Sequence, residues 1–170
     1  FYVDGVGFWG FSGFFREIIR EFNWDRTIAA VAPSLQRLQS GVLAPVTGLL
    51  VDRWGPRHTM MLGYVVAGAG FMFLSRIENL WQYYLSFVFI AFGLSAGSFI
   101  VIAAALNNWF VRKRGRALAI LILGPGLSGV LGGTWILIIP IFGWRDTLFF
   151  AGLGFWLICL PLAFLVMKDK

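Results

Sequence analysis

Gly48-Leu49-Leu50-Val51-Asp52-Arg53-Trp54-Gly55-Pro56-Arg57-His58 is a short charged turn set between two long apolar runs. An acid stands at the end of the first run, basic residues follow it directly, and glycines on either side allow backbones to approach closely. Its meaning depends on what the flanking runs are.

Composition decides that. The chain is 59% hydrophobic, 18% aromatic and 13% charged over 170 residues, with a mean hydropathy of +0.80. A water-soluble domain of this length cannot hide so much apolar surface. Charges are bunched, leaving runs of about twenty residues that can each cross a hydrocarbon core of about 30 Å as helix. Such runs recur to the end of the chain, which excludes a cleaved leader as their explanation. Barrel strands would be shorter and would alternate apolar with polar residues, so the class is an all-α membrane protein.

Six transmembrane helices are predicted: Phe1 to Phe15, Thr27 to Val51, Thr59 to Ser75, Trp81 to Phe110, Ala117 to Ile139 and Thr147 to Met167. The 21 glycines suit close helix contacts and kinks. Links are short, so sequential helices are expected to be antiparallel neighbours. One side of the membrane receives Arg53, Arg57, Arg112, Lys113, Arg114, Arg116, Lys168 and Lys170. The other receives Arg16, Arg20, Arg26, Arg76 and Arg145, interspersed with Glu17, Glu21, Asp25, Glu78 and Asp146. The first, more basic side is therefore assigned to the cytoplasm, in a plasma or bacterial inner membrane. The formal charge of +6 is a topology signal with anionic lipid headgroups as neighbours, and no soluble basic face exists to bind nucleic acid.

Asn23-Trp24-Asp25-Arg26-Thr27 and Gly143-Trp144-Arg145-Asp146-Thr147 each offer Asp or Thr as an N-cap beside an interfacial Trp. The two strings are alike, yet no sequence repeat emerges. Only about fifteen apolar residues precede Arg16, fewer than a span needs, so the first helix reads as truncated. Residues 1–170 read as one six-helix bundle, with Lys168-Asp169-Lys170 where the sixth helix would emerge on the cytoplasmic side and from where a longer natural chain could continue. Cys159 stands alone and offers no intrachain disulfide.

Gly48, Asp52, Arg53, Gly55 and Arg57 follow a G-x-x-x-D-R-x-G-x-R pattern, and a second string, Trp109-Phe110-Val111-Arg112-Lys113-Arg114-Gly115-Arg116-Ala117, lies two spans later on the same side. Together these resemble the loops between helices two and three and helices four and five of major facilitator superfamily transporters. Pro56 departs from the pattern, standing where a basic residue is often found. The resemblance implies the amino-terminal six-helix half of a transporter, built as two three-helix inverted repeats. A second six-helix half, absent from these residues, would complete a midplane cavity, and the two halves would rock in alternating access.

Asp52 lies at the carboxyl end of a helix, where the dipole disfavours a negative charge. In the family such an acid faces a helix N-terminus of the second half and nearby arginines, latching the cytoplasmic side. By resemblance Gly48, Asp52, Arg53, Gly55, Arg57, Arg112 and Arg116 form this gate. The competing reading makes the cations topology determinants only.

Ionisable residues inside spans are costly and face a cavity or a partner. Arg37 lies about 16 Å into the second span from Arg26, and Asp4 about 18 Å before Arg16 in the antiparallel first span. The two opposite charges are expected at nearly equal depth. Either they neutralise each other, or Arg37 holds an anionic substrate with its fork while Asp4 exchanges protons or partner charges. Gln36, Gln39 and Ser98 are weaker candidates for the same pathway.

In the fifth span, Gly124 and Pro125 predict a kink, since Pro removes a backbone bond. The glycine spacing after Pro125 departs from the family's familiar form and does not imply antiport. Leu94-Ser95-Ala96-Gly97-Ser98 in the fourth span carries no base, which argues against proton coupling of the kind many members show. His58, the single histidine, lies in the charged turn, so no histidine-based metal site is expected. No cofactor motif and no nucleophile paired with a base is present, which leaves no enzyme chemistry. The run from Ser34 through Gly48 looks most like the monocarboxylate or oxalate type, making a small organic anion the leading substrate, with a co-transported or exchanged ion as a possible companion. The alternative is a non-transporting six-helix scaffold or receptor subunit.

Overall fold

A computed structural model describes residues 2–98, 101–103 and 114–166. Every regular element among them is helical. Helix α1 comprises Tyr2–Asp4, a π-helical stretch Gly5–Gly10 and Phe11–Phe22. The 50-residue helix Arg26–Ser75 is interrupted at Gly55 alone, so its arms are α2 (26–54) and α3 (56–75). Then follow α4 (Leu80–Ala96), α5 (Arg114–Phe142) and α6, made of Trp144–Gly154, a π turn Phe155–Cys159 and Leu160–Val166. Among the described residues four helices are long and apolar enough to cross a membrane: Arg26–Ser75, Leu80–Ala103, Leu121–Phe142 and Trp144–Phe164. Helix α1 is not among them because Arg16, Glu17, Arg20 and Glu21 crowd its second half. It also runs on to Phe22, beyond the Phe15 expected from apolarity, since helix propensity continues through these charged residues.

The charged turn is tighter than the sequence suggests. Asp52, Arg53 and Trp54 belong to α2, Pro56 to His58 belong to α3, and only Gly55 leaves helical geometry, at φ 80° and ψ 159°. Pro56 disfavours helical conformation in the residue before it, while its own φ suits a helix start. A side chain at φ 80° would be strained, which is why glycine stands there. Gly143 repeats the geometry, φ 81° and ψ 159°, between α5 and α6.

Of the two predicted caps, one holds as read: Asp25 accepts the Thr27 N–H at 2.8 Å. At the other the cap is Gly143, with no capping side chain, and Thr147 Oγ1 instead donates back to the Gly143 carbonyl at 2.6 Å. Asp146 stays in the first turn, where it complements the helix dipole.

Directions follow from paired contacts. On α4, Tyr83 meets Ala29 and Ser95 meets Thr47, so α2 and α4 run parallel. Gly70 faces Ile90 and Gly63 faces Gly93 and Gly97, so α3 and α4 run antiparallel and α2 doubles back into α3. A Cβ on Gly63 would come within 2.8 Å of the Gly93 carbonyl, and one on Gly93 would strike the Ala67 backbone. That close approach is what glycine permits. Against its other side α3 takes α6, antiparallel, through Gly68 and Gly152 and the Trp156 Nε1 to Val65 carbonyl bond at 3.2 Å. Helix α1 fills the remaining core beside α4, α5 and α6: Phe11 meets Phe87, Gly10 meets Trp135, and Tyr2 donates to the Ala151 carbonyl at 2.8 Å.

Candidate functional site

Helical register divides α2 into three faces. The first packs inward through Ala29, Ala32 and Thr47, all buried. The second is a stripe of large exposed apolar residues, Ile28, Val31, Leu35, Leu38, Val42 and Leu49. The third carries Ala30, Ser34, Arg37, Gly41, Ala44, Gly48 and Asp52, all small except its two charges. Among the described residues, a Cβ built on Gly41 or on Gly48 meets nothing within 4 Å. The Arg37 face of α2 therefore touches no described neighbour at these two positions.

The sequence candidates are distributed along this face and its surroundings. Arg37 is placed in α2 between Ala29 and Thr47; its side chain and that of Gln39 lie outside the described residues. Gln36 is partly buried on the same turn. Asp4, one turn before Gly7, lies near the end of α4, because Gly7 packs on Leu94; it is within electrostatic reach of Tyr64. Ser98 follows α4 in a bend where its carbonyl accepts from the Val101 and Ile102 N–H groups. The Thr47–Ser95 contact sets Ser98 level with the last turns of α2, nearer Asp52 than Arg37.

At the Gly55 elbow, Asp52 and Arg53 are exposed at the end of α2, and among the described residues Asp52 forms no ion pair. Arg57 turns toward α6: its Nη2 donates to the Phe164 carbonyl at 3.2 Å, and its guanidinium lies 4.5 Å from the Phe164 ring centre. Its Nε is buried without a partner. His58 Nδ1 lies 3.0 Å from the Trp54 carbonyl, so this ring nitrogen carries the proton there. Among the described residues nothing lies within 4 Å of a Cβ built on Gly48. Arg112 lies outside the described residues, while Arg116 is exposed in the first turn of α5. Helix α5 runs unbroken through Gly124 and Pro125, and Ser128 Oγ donates to the Pro125 carbonyl at 2.6 Å.

The opposite end holds a cluster that the sequence reading passed over. Arg145 opens α6 and bonds Glu21 at the end of α1 at 2.9 Å, while its Nη1 and Nη2 reach the Ser75 and Ile77 carbonyls at 3.3 and 3.2 Å. Trp144 Nε1 donates to the other Glu21 oxygen. Burial pushes the Glu21 carboxyl up, but the hydrogen bonds from Arg145 and Trp144 and the Arg145 charge outweigh it and hold the group below its ordinary value. The only warning in the sequence was the likeness of the Trp144 and Trp24 strings. Among the described residues no His, Cys, Asp and Glu group could hold a metal ion.

Apolar helices of spanning length, two of them joined by an elbow of one glycine, define a polytopic helical membrane protein. A sequence profile of the Major Facilitator Superfamily matches residues 2–170. The chain belongs to that family. It is 32% identical to human Monocarboxylate transporter 11 over 126 residues, covering 74% of this chain and 26% of the relative. Human Monocarboxylate transporter 6 is 33% identical over 150 residues, 86% of this chain and 29% of the relative. The Bacillus subtilis MFS-type transporter YcxA is 27% identical over 166 residues, 93% of this chain and 39% of the relative. The chain therefore spans well under half the length of these curated relatives. All three are named as transporters, and none as an enzyme.

Proposed function

We propose that the chain is the amino-terminal half of a secondary transporter that moves a small organic anion, a monocarboxylate foremost, by alternating access in a cell membrane. The observation that carries this reading is the open, small-residue face of α2 on which Arg37 is the one cation. An arginine fork suits a carboxylate, and Gly41, one turn further along the same face, places no side chain beside it. The names of Monocarboxylate transporters 11 and 6 support the substrate class.

In this reading α1 to α6 are six spans arranged as two inverted three-helix repeats. Support comes from the two elbows: Gly55-Pro56-Arg57-His58-Thr59 and Gly143-Trp144-Arg145-Asp146-Thr147 share Gly, Arg and Thr at the same spacing and the same glycine dihedrals. A second six-helix half covers the exposed apolar stripes of α2 and of α5, where Ile122, Leu127, Val130 and Leu137 are bare. Asp52 is assigned to a gate on the elbow side together with Arg53, Arg57, Arg112 and Arg116, and the Lys and Arg distribution supports a cytoplasmic placement of that side. Asp4 serves ion or proton exchange, and Gln36, Gln39 and Ser98 line the pathway.

The test is uptake of labelled pyruvate into vesicles holding the full-length product. Arg37→Gln is expected to raise KM by roughly 10-fold to 100-fold, the loss of a hydrogen bond to a charged group. Unchanged affinity removes the substrate role from Arg37, and absence of flux in the unaltered protein favours a scaffold.

A further inference from the structure

Pro33 lies in the second turn of α2 and has no N–H, so the helical bond that would end on the Ala29 carbonyl cannot form. That carbonyl has another donor. The Tyr83 hydroxyl, on a fully buried side chain of α4, donates to it at 3.1 Å. The next residue, Tyr84, donates to the neighbouring Ile28 carbonyl at 2.8 Å. The Tyr83 ring is itself held between Trp24 and Phe87, at 5.4 and 4.9 Å between centres. Further along, buried Thr47 and Ser95 join α2 to α4 again through their hydroxyls at 3.0 Å. Arg37 lies between these two fastenings, one turn, about 6 Å, beyond Pro33.

We propose that Tyr83 is a positioning residue for Arg37: its hydroxyl replaces the donor that Pro33 lacks and so fixes the direction in which α2 leaves the proline. The inference rests on the reading of Arg37 as a substrate group. The physical logic is local. A proline ring pushes the carbonyl four residues earlier out of line, and the bend it produces is loose unless something holds that carbonyl. Two adjacent hydroxyls from one rigid helix hold it and its neighbour. Among the described residues, nothing packs on Gly41 or Gly48 to do the same work from the other side.

The test compares Tyr83→Phe, Pro33→Ala and the double variant of the full-length protein in lipid vesicles. Tyr83→Phe keeps the ring and removes one oxygen, while Pro33→Ala restores the N–H that makes that oxygen redundant. The first readout is the rate of butanedione modification at Arg37, followed by peptide mass; the second is KM and Vmax for pyruvate uptake. Tyr83→Phe is expected to raise the Arg37 modification rate and KM by roughly threefold to tenfold, the net weight of one hydrogen bond, with Vmax little changed. Adding Pro33→Ala is expected to cancel both effects. A modification rate that Tyr83→Phe leaves unchanged, or a defect of the same size with and without Pro33, overturns the proposal. If the modification rate responds and is rescued while Arg37→Gln transports pyruvate normally, the positioning stands and the substrate role of Arg37 falls.

Discussion

Arg57 and Arg145 mirror each other. Each stands two residues after a glycine of positive φ at the head of a helix, and each reaches a carbonyl at the tail of the other's helix: Arg57 to Phe164 of α6, Arg145 to Ser75 of α3 and Ile77 just beyond it. Because α3 and α6 are antiparallel, the two arginines fasten the pair at both ends.

Arg57→Lys and Arg145→Lys are each expected to destabilise the chain by about 1 kcal/mol, since an ammonium cannot reproduce the guanidinium's divided bonding and ring contact. Much of the Arg145–Glu21 attraction is discounted because the side chains are 39% and 44% exposed. The ends lie far apart, so the two losses should add. Thermal unfolding of the singles and the double in detergent checks this, and strong non-additivity would contradict independent fastenings.

Glu21 gives the Arg145 end a dependence on acid. Its folded carboxyl titrates below the ordinary value of about 4.3, so the stability it contributes is complete above that pH and is lost as pH falls through the lower folded value. Melting temperature should drop over that acidic window, modestly given the exposure. Glu21→Gln should be less stable near neutrality and lack this part of the drop; an unaltered acid limb would refute the assignment.

Three glycines should respond differently to alanine. Gly55→Ala places a side chain at φ 80° and should cost about 1–2 kcal/mol in strain. Gly93→Ala drives a methyl into the Ala67 backbone and should cost about 1–3 kcal/mol as overpacking. Gly41→Ala meets open space in a helix and should gain about 0.5–1 kcal/mol. Unfolding midpoints rank them, and a stable Gly55→Ala would show that the elbow tolerates another geometry.

Asp52→Asn should raise cytoplasmic accessibility and change the transport rate of the full-length protein, because it removes the acid proposed to gate the elbow side. Alkylation of a cysteine placed near residue 48, together with pyruvate flux, measures both. Equal values in the variant and the unaltered protein would leave Asp52 a topology residue.

Apolar runs and bunched charges made the helical membrane class legible, because spanning length and positive charge distribution are read directly from residue order. The glycine in Gly55-Pro56 marked a turn, yet its brevity came from dihedrals that a sequence of charged residues disguises as loop. The Gly143 cap was missed because Asp146 and Thr147 look like better caps than a glycine. Side-chain partners were the least legible: Tyr83 and Ala29 are 54 residues apart, and only Pro33 signals that a carbonyl lacks its donor. The Glu21, Trp144 and Arg145 cluster likewise depends on how α1, α3 and α6 converge, which local spacing does not encode.

An elbow of one residue has no slack. Asp52 and Arg57 are separated by four residues that are all helical except Gly55, so neither arm can lengthen or slide without dragging the other. A linker inserted there would uncouple motion at the bottom of α2 from α3, and through Arg57 from α6. The elbow therefore ties the end of α2 to the start of α3 through one residue, and Arg57 carries that tie on to Phe164 of α6.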